Sequence, residues 1–276
     1  MTGLCLTLKH TPAQMVDVSA LTPHLLAGKS REDIRRIELP SGNRKLRVAD
    51  LFDVSADDAQ SSLTIHASTD RLACVGAGMQ SGSIVVEGDC GPYVGLGMRG
   101  GKVVIGGAAA AFVGCGMRGG TIEVRGDAGD FVGGALPGDK QGMRGGSVVI
   151  SGNAGDRVGD RMRRGMILVA GDAGAYCGSR MLAGTIVVSG RVGQSPGFAL
   201  KRGTLLLAHP PAQMPVTFQD SGEHELLFLA LLAQHFEREG GPFKTFLPLS
   251  SRVRRYCGDL ATGGKGEMLL GLSPKT

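Results

Sequence analysis

Short apolar stretches of period two recur along the middle of this 276-residue chain, separated by clusters of glycine. The pairs Ile84/Val86, Val103/Ile105, Ile122/Val124, Val148/Ile150, Ile167/Val169, Ile186/Val188 and Leu205/Leu207 each set two apolar side chains on one face of a strand. The step between pairs is 19 residues, except for 26 between Ile122 and Val148, where the seven residues Gly134 to Lys140 are inserted. Methionine keeps the same step (Met79, Met98, Met117, Met143, Met162, Met181), and so do two glycine columns that begin at Gly82 and Gly88. Such a pattern is strand and turn, not helix.

A strand this short cannot bury a face alone, whereas identical units stacked about 4.8 Å apart bury each apolar column and pair their backbones. The alternation predicts that the residues between paired apolar positions are exposed, that Val94, Val113, Val132 and Val158 form a second inner column, and that the methionines form a third. Asp89, Asp127, Asn153 and Asp172 share one corner, where Asx side chains bond the turning backbone. The predicted fold is mainly β: a right-handed single-stranded β-helix of about seven 19-residue coils, with an N-terminal α/β cap and a C-terminal helix. The expected division is a cap over residues 1–62, the solenoid over 63–208, and a helix with an extended tail over 209–276. The cap reads as a strand on Leu4, Leu6 and Leu8 and a short helix around Ser19 to Leu26. The helix after the repeats is placed between Ser221 and Glu239, packed along the stack or under another subunit.

Composition adds a constraint. Forty-six residues are glycine with no three-residue period, so the chain makes many tight turns and no collagen helix. The net charge of +5 rests mostly on arginine, which favours planar pairing with carboxylate or phosphate but is too mild to imply nucleic acid. Six scattered cysteines without a C-x-x-C pair, and no histidine at a metal-ligand offset, read as reduced cytoplasmic thiols and no metal site. No basic-then-apolar leader opens the sequence, and the longest apolar run, Leu226 to Ala233, is far short of a membrane span.

Catalytic motifs fail on context. Gly95 to Gly100 and Gly114 to Gly119 match G-x-G-x-x-G, but no helix follows and the match repeats with the unit, so these are corners. Gly28-Lys29-Ser30 resembles the end of a phosphate loop, yet Pro23 stands where that motif needs glycine. All six histidines lie outside Ala77 to Leu207, so no serine, histidine and acid arrangement can be assembled there. A polysaccharide-active β-helix would need a carboxylate-lined groove that the repeat does not offer. The polar feature that stands out is an arginine column after the methionines, Arg99, Arg118, Arg144 and Arg163, with Arg164 beside it. It is either solvated or paired where another subunit meets it, or a binding stripe for a polyanion.

The repeats resemble the glycine-rich β-helical domain shared by the C subunit of formylmethanofuran dehydrogenase and the C-terminal domain of glutamate synthase large subunits. Three further features look like that C subunit: Ile37 to Arg44 leading to Leu51-Phe52-Asp53-Val54, the inserted Gly138 to Met143, and Arg255 to Asp259 followed by Gly264 to Glu267. A glutamate synthase domain would be joined to a far longer chain, so this one is expected to be complete. The resemblance implies a structural subunit of either of two complexes. One is the tungsten or molybdenum formylmethanofuran dehydrogenase of methanogens. The other is the formyltransferase/hydrolase complex of methylotrophic bacteria, which moves formyl from formyl-tetrahydromethanopterin to a methanofuran-type carrier and hydrolyses it to formate. The alanine-, glycine- and arginine-rich composition favours the bacterial complex. The implied partners are hydrolase-like, molybdopterin-enzyme-like and formyltransferase subunits, with zinc and the chemistry on those chains, and no nucleic acid or membrane. The Arg99, Arg118, Arg144 and Arg163 column would then guide the carrier's polyglutamate tail. A polyanion-binding β-helix module is the reading from another class, and a free-standing polysaccharide-active β-helix is a third.

Overall fold

The computed structural model describes residues 3–56, 61–246 and 250–271. The N-terminal part holds β1 (Leu4–Leu8), β2 (Val16–Asp17), α1 (Pro23–Leu26), α2 (Arg31–Arg36), β3 (Glu38–Ser41), β4 (Arg44–Arg47), α3 (Val48–Leu51) and β5 (Phe52–Ala56). The repeats supply β6 (Ser62–His66), β7 (Leu72–Ala73), β8 (Ser83–Val86), β9 (Lys102–Ile105), β10 (Thr121–Val124), β11 (Arg144–Ile150), β12 (Arg164–Val169), β13 (Thr185–Val188) and β14 (Arg202–Leu207). The C-terminal part adds β15 (Gln219–Glu225), α4 (Leu227–Glu239), β16 (Arg252–Gly258) and β17 (Lys265–Gly271).

One mixed sheet of 13 strands runs in the order β15-β16-β17-β14-β13-β12-β11-β10-β9-β8-β6-β1-β5. From β1 to β14 and on to β17 the neighbours are parallel, while β5 and β16 reverse direction at the two ends. The apolar positions stay in register from unit to unit, Ile84 facing Val103, Val103 facing Ile122 and, across the seven-residue insertion, Ile122 facing Val148, while β11 and β12 shift register between Arg144 and Ser147. A second parallel row of bridges joins Cys90, Ala109, Ala128, Ala154, Ala173 and Val192.

The three expected inner columns are buried. The strand pairs, the valine column from Val94 to Val158 and all six methionines of the repeat are in the core. That row is buried and, from Cys90 to Ala173, made of small residues. The glycine column that starts at Gly82 has two physical reasons. Each member has a positive φ, and from Gly101 onward the methyl of the preceding unit's methionine packs where a Cβ would sit, as Met79 does against Gly101.

Three expectations change. The position between the paired residues is not exposed throughout: Val149, Leu168, Val187 and Leu206 are buried, because α4 and the strands after it cover the outer face of the later units with Leu229, Phe236, Val253 and Leu269. The C-terminal helix begins at Leu227, because Gln219–Glu225 is drawn into an antiparallel pair with β16. In the N-terminal part, α1 is only Pro23–Leu26, and α2 follows with a capping box between Ser30 and Asp33. The family-like segment near the N-terminus forms the β3–β4 hairpin about Gly42 and then β5. Its C-terminal counterpart forms β16 and β17, where Glu267 meets Arg255 at 2.9 Å and accepts from Thr204 Oγ1 at 2.7 Å.

Candidate functional site

The parallel ladder sets the arginine column in place. The backbone N–H of Arg99, Arg118, Arg144 and Arg163 donates to the carbonyl of Met79, Met98, Met117 and Met143 respectively, at 2.7 or 2.8 Å. The arginine backbones are therefore set one above another at the inter-strand spacing, about 4.8 Å, except that the register shift in β11 places Arg164, not Arg163, opposite Arg144. All four are exposed, as is Arg164. Among the described residues none of the four guanidinium groups has a hydrogen-bond or ion-pair partner. Like charges set about 5 Å apart repel by roughly 1 kcal/mol even in water, and no carboxylate among the described residues pairs with these four arginines.

Other ionisable groups are absorbed by structure. Asp89, Asp127, Asn153 and Asp172 do not bond their own turn. Each side chain accepts from the backbone N–H one unit on, at Ala108, Asn153, Asp172 and Arg191, between 2.7 and 2.9 Å. Asp130 and Asp156 do the same towards Asp156 and Ala175. Burial pushes the Cys90, Cys115 and Cys177 thiols up to about 12, which keeps them protonated and unfit as nucleophiles at neutral pH. His10 and His66 border a shallow cleft with Lys9, Ser68 and Glu87, where His66 Nδ1 meets the Glu87 carboxylate. No group of three or more His, Cys, Asp or Glu among the described residues could hold a metal ion.

Two features escaped the sequence reading. At the corner before the methionines, Arg161 and Arg180 hold left-handed backbone, φ 55° and 53°, where earlier units have Gly97 and Gly116. Arg180 forks onto the buried carboxylate of Asp160, which also accepts from Ser179 Oγ at 2.6 Å. Arg161 pins the insertion, donating to the Asp139 carbonyl at 2.8 Å, while Ala135 N–H and Gly142 N–H donate to the carbonyls of Asp160 and Arg161. The clue in the sequence was arginine in a glycine column. The second feature is a file of rings on an outer corner: Tyr93, Phe112 and Phe131 stack with centroids 5.1 Å apart, and Arg157 and Tyr176 continue the file. The repeat consensus held these positions, but nothing in it showed that the rings meet outside the core.

No family model matches the chain. It is 54% identical over 257 residues to the C subunit of the formyltransferase/hydrolase complex of Methylorubrum extorquens, an alignment that covers 93% of this chain and 95% of that one. The chain belongs to the family of that C subunit. Its fold matches a chain in the crystal structure of the M. extorquens formyltransferase/hydrolase complex with methylofuran, at a TM-score of 0.91 and 43% identity, over 98% of this chain and all of that one. The family extends to archaea. The C subunit of tungsten-containing formylmethanofuran dehydrogenase 2 from Methanococcus maripaludis is 36% identical over 95 residues. That match spans about a third of the length of the archaeal relative, 35%, and 34% of this chain. Among the described residues no helix is long and apolar enough to cross a membrane.

Proposed function

We propose that this chain is the structural subunit of a bacterial-type formyltransferase/hydrolase complex and takes no chemical part in its reaction. The observation that carries the reading is near-full-length similarity, 54% over 93% of the chain, to a subunit of that complex, against partial similarity to the tungsten enzymes. The complex would move formyl from formyl-tetrahydromethanopterin to a methanofuran-type carrier and hydrolyse it to formate, in the cytoplasm. Its hydrolase-like, molybdopterin-enzyme-like and formyltransferase subunits would gather around this one. The in-register parallel ladder and the second row of bridges support a right-handed single-stranded β-helix over residues 63–208, between an N-terminal cap (1–62) and a C-terminal unit (209–276).

The carrier, when bound to the complex, supplies the acceptor for the formyl group. The donor set of this chain fits its polyglutamate tail: Arg99, Arg118, Arg144 and Arg163 offer exposed guanidinium groups in successive units with no carboxylate partner among the described residues. These residues would bind and orient the tail along the stack. Co-expression with the other subunits, pull-down and mass spectrometry test the assignment. A stoichiometric complex is expected, and the isolated chain should neither release formate from formyl-carrier nor retain zinc. Purification as a stable monomer that ignores those subunits would refute it.

A further inference from the structure

Aromatic side chains are scarce in this protein, which has three tyrosines, nine phenylalanines and no tryptophan. Two of those tyrosines and three of those phenylalanines lie in one file outside the core: Tyr93, Phe112, Phe131, Tyr176 and Phe198. The file spans five inter-strand steps, about 24 Å. Its first four rings are half-buried and Phe198 is 54% exposed. Tyr93, Phe112, Phe131 and Tyr176 all take left-handed backbone, with φ between 60° and 68°. That conformation costs a residue other than glycine about 1–2 kcal/mol, and in a bulky residue it is a genuine outlier.

Arg157 interrupts the file between Phe131 and Tyr176, at the same left-handed position, with φ 61°. Its guanidinium lies 4.8 Å from the Tyr176 ring centre and 5.9 Å from that of Phe131. Stability alone does not select arginine here. Cation–π contacts of this half-buried guanidinium give about 0.5–2 kcal/mol each, while a phenylalanine would carry the same backbone cost, stack on both neighbours and bury more apolar area. The rings cover the guanidinium faces and leave its in-plane N–H groups as the free donors. Among the described residues no carboxylate pairs with it. Asp130 and Asp156, adjacent in sequence to the file, each commit Oδ1 to a backbone N–H of the next unit.

The file leads into a cavity of about 860 Å³ at the C-terminal end of the repeats, bordered by Phe198, Met214, Val216 and Ala261. Tyr176 meets Phe198 edge-on at 6.0 Å, so strip and cavity are continuous. Val216 there is 93% exposed. Stacked faces are unavailable to a sugar ring, which removes a polysaccharide platform. What remains is a row of ring edges, one oriented cation and a hollow with apolar walls and a polar side at Gln194, Gln213 and Asp259, and aromatic and arginine side chains are the types that dominate protein–protein hot spots.

We infer that this corner is a docking surface for another subunit of the same complex, which presents a carboxylate to Arg157 and an apolar side chain to the hollow beside Phe198. The inference rests on the structural-subunit reading above, and charge complementarity beside an apolar contact favours a protein partner: an oriented guanidinium with no carboxylate partner among the described residues, next to exposed Phe198 and Val216, suits a carboxylate flanked by apolar side chains.

The test uses the full chain and the purified remaining subunits, with association followed by sedimentation and native mass spectrometry and the melting temperature of each variant measured alone. R157E is expected to weaken association at least roughly ten-fold. R157F, which completes the aromatic file, is expected to weaken it while melting no lower than the native chain. A merely structural Arg157 would not separate those two readouts. If both variants associate as tightly as the native chain, the docking surface is refuted while the structural-subunit reading stands. If the native chain itself fails to associate, both fall together.

Discussion

Arg180 reaches back one unit and closes a fork on Asp160, with Nε on one carboxylate oxygen and Nη2 on the other, each at 2.9 Å. Asp160 is 2% exposed, and its remaining contacts are Ser179 Oγ and the more distant Arg161. Removing one partner of a buried pair leaves a desolvated charge. Arg180→Ala is therefore expected to lower the unfolding free energy by about 2–4 kcal/mol. Arg180→Gly should cost about 1 kcal/mol less, because glycine accepts φ 53° freely. Urea midpoints of the two variants check the order.

The glycine columns differ in what they protect. A Cβ on Gly97 would meet no atom within 4 Å, whereas one on Gly101 would sit 2.7 Å from the Met79 methyl and 2.6 Å from the Gly82 carbonyl oxygen. Gly97→Ala should lose about 1–2 kcal/mol, from its left-handed backbone alone. Gly101→Ala should lose about 3 kcal/mol or more, because the clash with fixed backbone adds to the same conformational cost. Thermal unfolding of the pair distinguishes them.

Buried thiols impose an alkaline limit. Burial raises Cys90, Cys115 and Cys177 to about 12, above the unfolded value near 8.5–9. Their contribution is complete below the unfolded value and is lost as pH climbs towards 12, by about 1.4 kcal/mol per pH unit for each thiol. Cys177 continues the column of Val94, Val113, Val132 and Val158, so Cys177→Val should melt near the native temperature at pH 7 and lose less than the native chain at pH 10.

If the arginine column guides a polycarboxylate, reversing its centre should show in rate before assembly. Arg118→Glu combined with Arg144→Glu is expected to slow coupled turnover of the complex at low salt, with a smaller defect at high salt, and to leave subunit stoichiometry intact. Turnover measured across ionic strength decides it; equal rates would remove the column from any role with the carrier.

The 19-residue step made the inner columns legible, since a residue that repeats in register has one environment in every unit. What the step could not convey came from distant segments. Val149 and Val187 read as outward positions, and they are buried by α4 and the strands after it, 40 residues or more further on. Glu223, His224 and Glu225 favoured helix locally, yet Arg252–Gly258 claims that segment as a strand. The aspartate column was visible, but its bonds run between units, which a periodic sequence cannot tell from bonds within a turn. In the candidate site, the sequence located the arginine column and left its pairing open. It did not reveal that Arg157 lies between two rings, because stacking depends on a left-handed backbone that propensity disfavours.

A parallel row with open ends would be a template for its own kind, since every unpaired edge invites another copy to continue the ladder. Here β5 turns back on β1, and β16 turns back on β17. Beyond β16, the outermost strand β15 carries Asp220, Glu223 and Glu225 and a register shift that spoils its edge. The ten parallel strands between these stops are a closed count, nine steps or about 43 Å. The molecule thus works as a ruler that cannot be lengthened, and whatever meets its two ends is held at one separation.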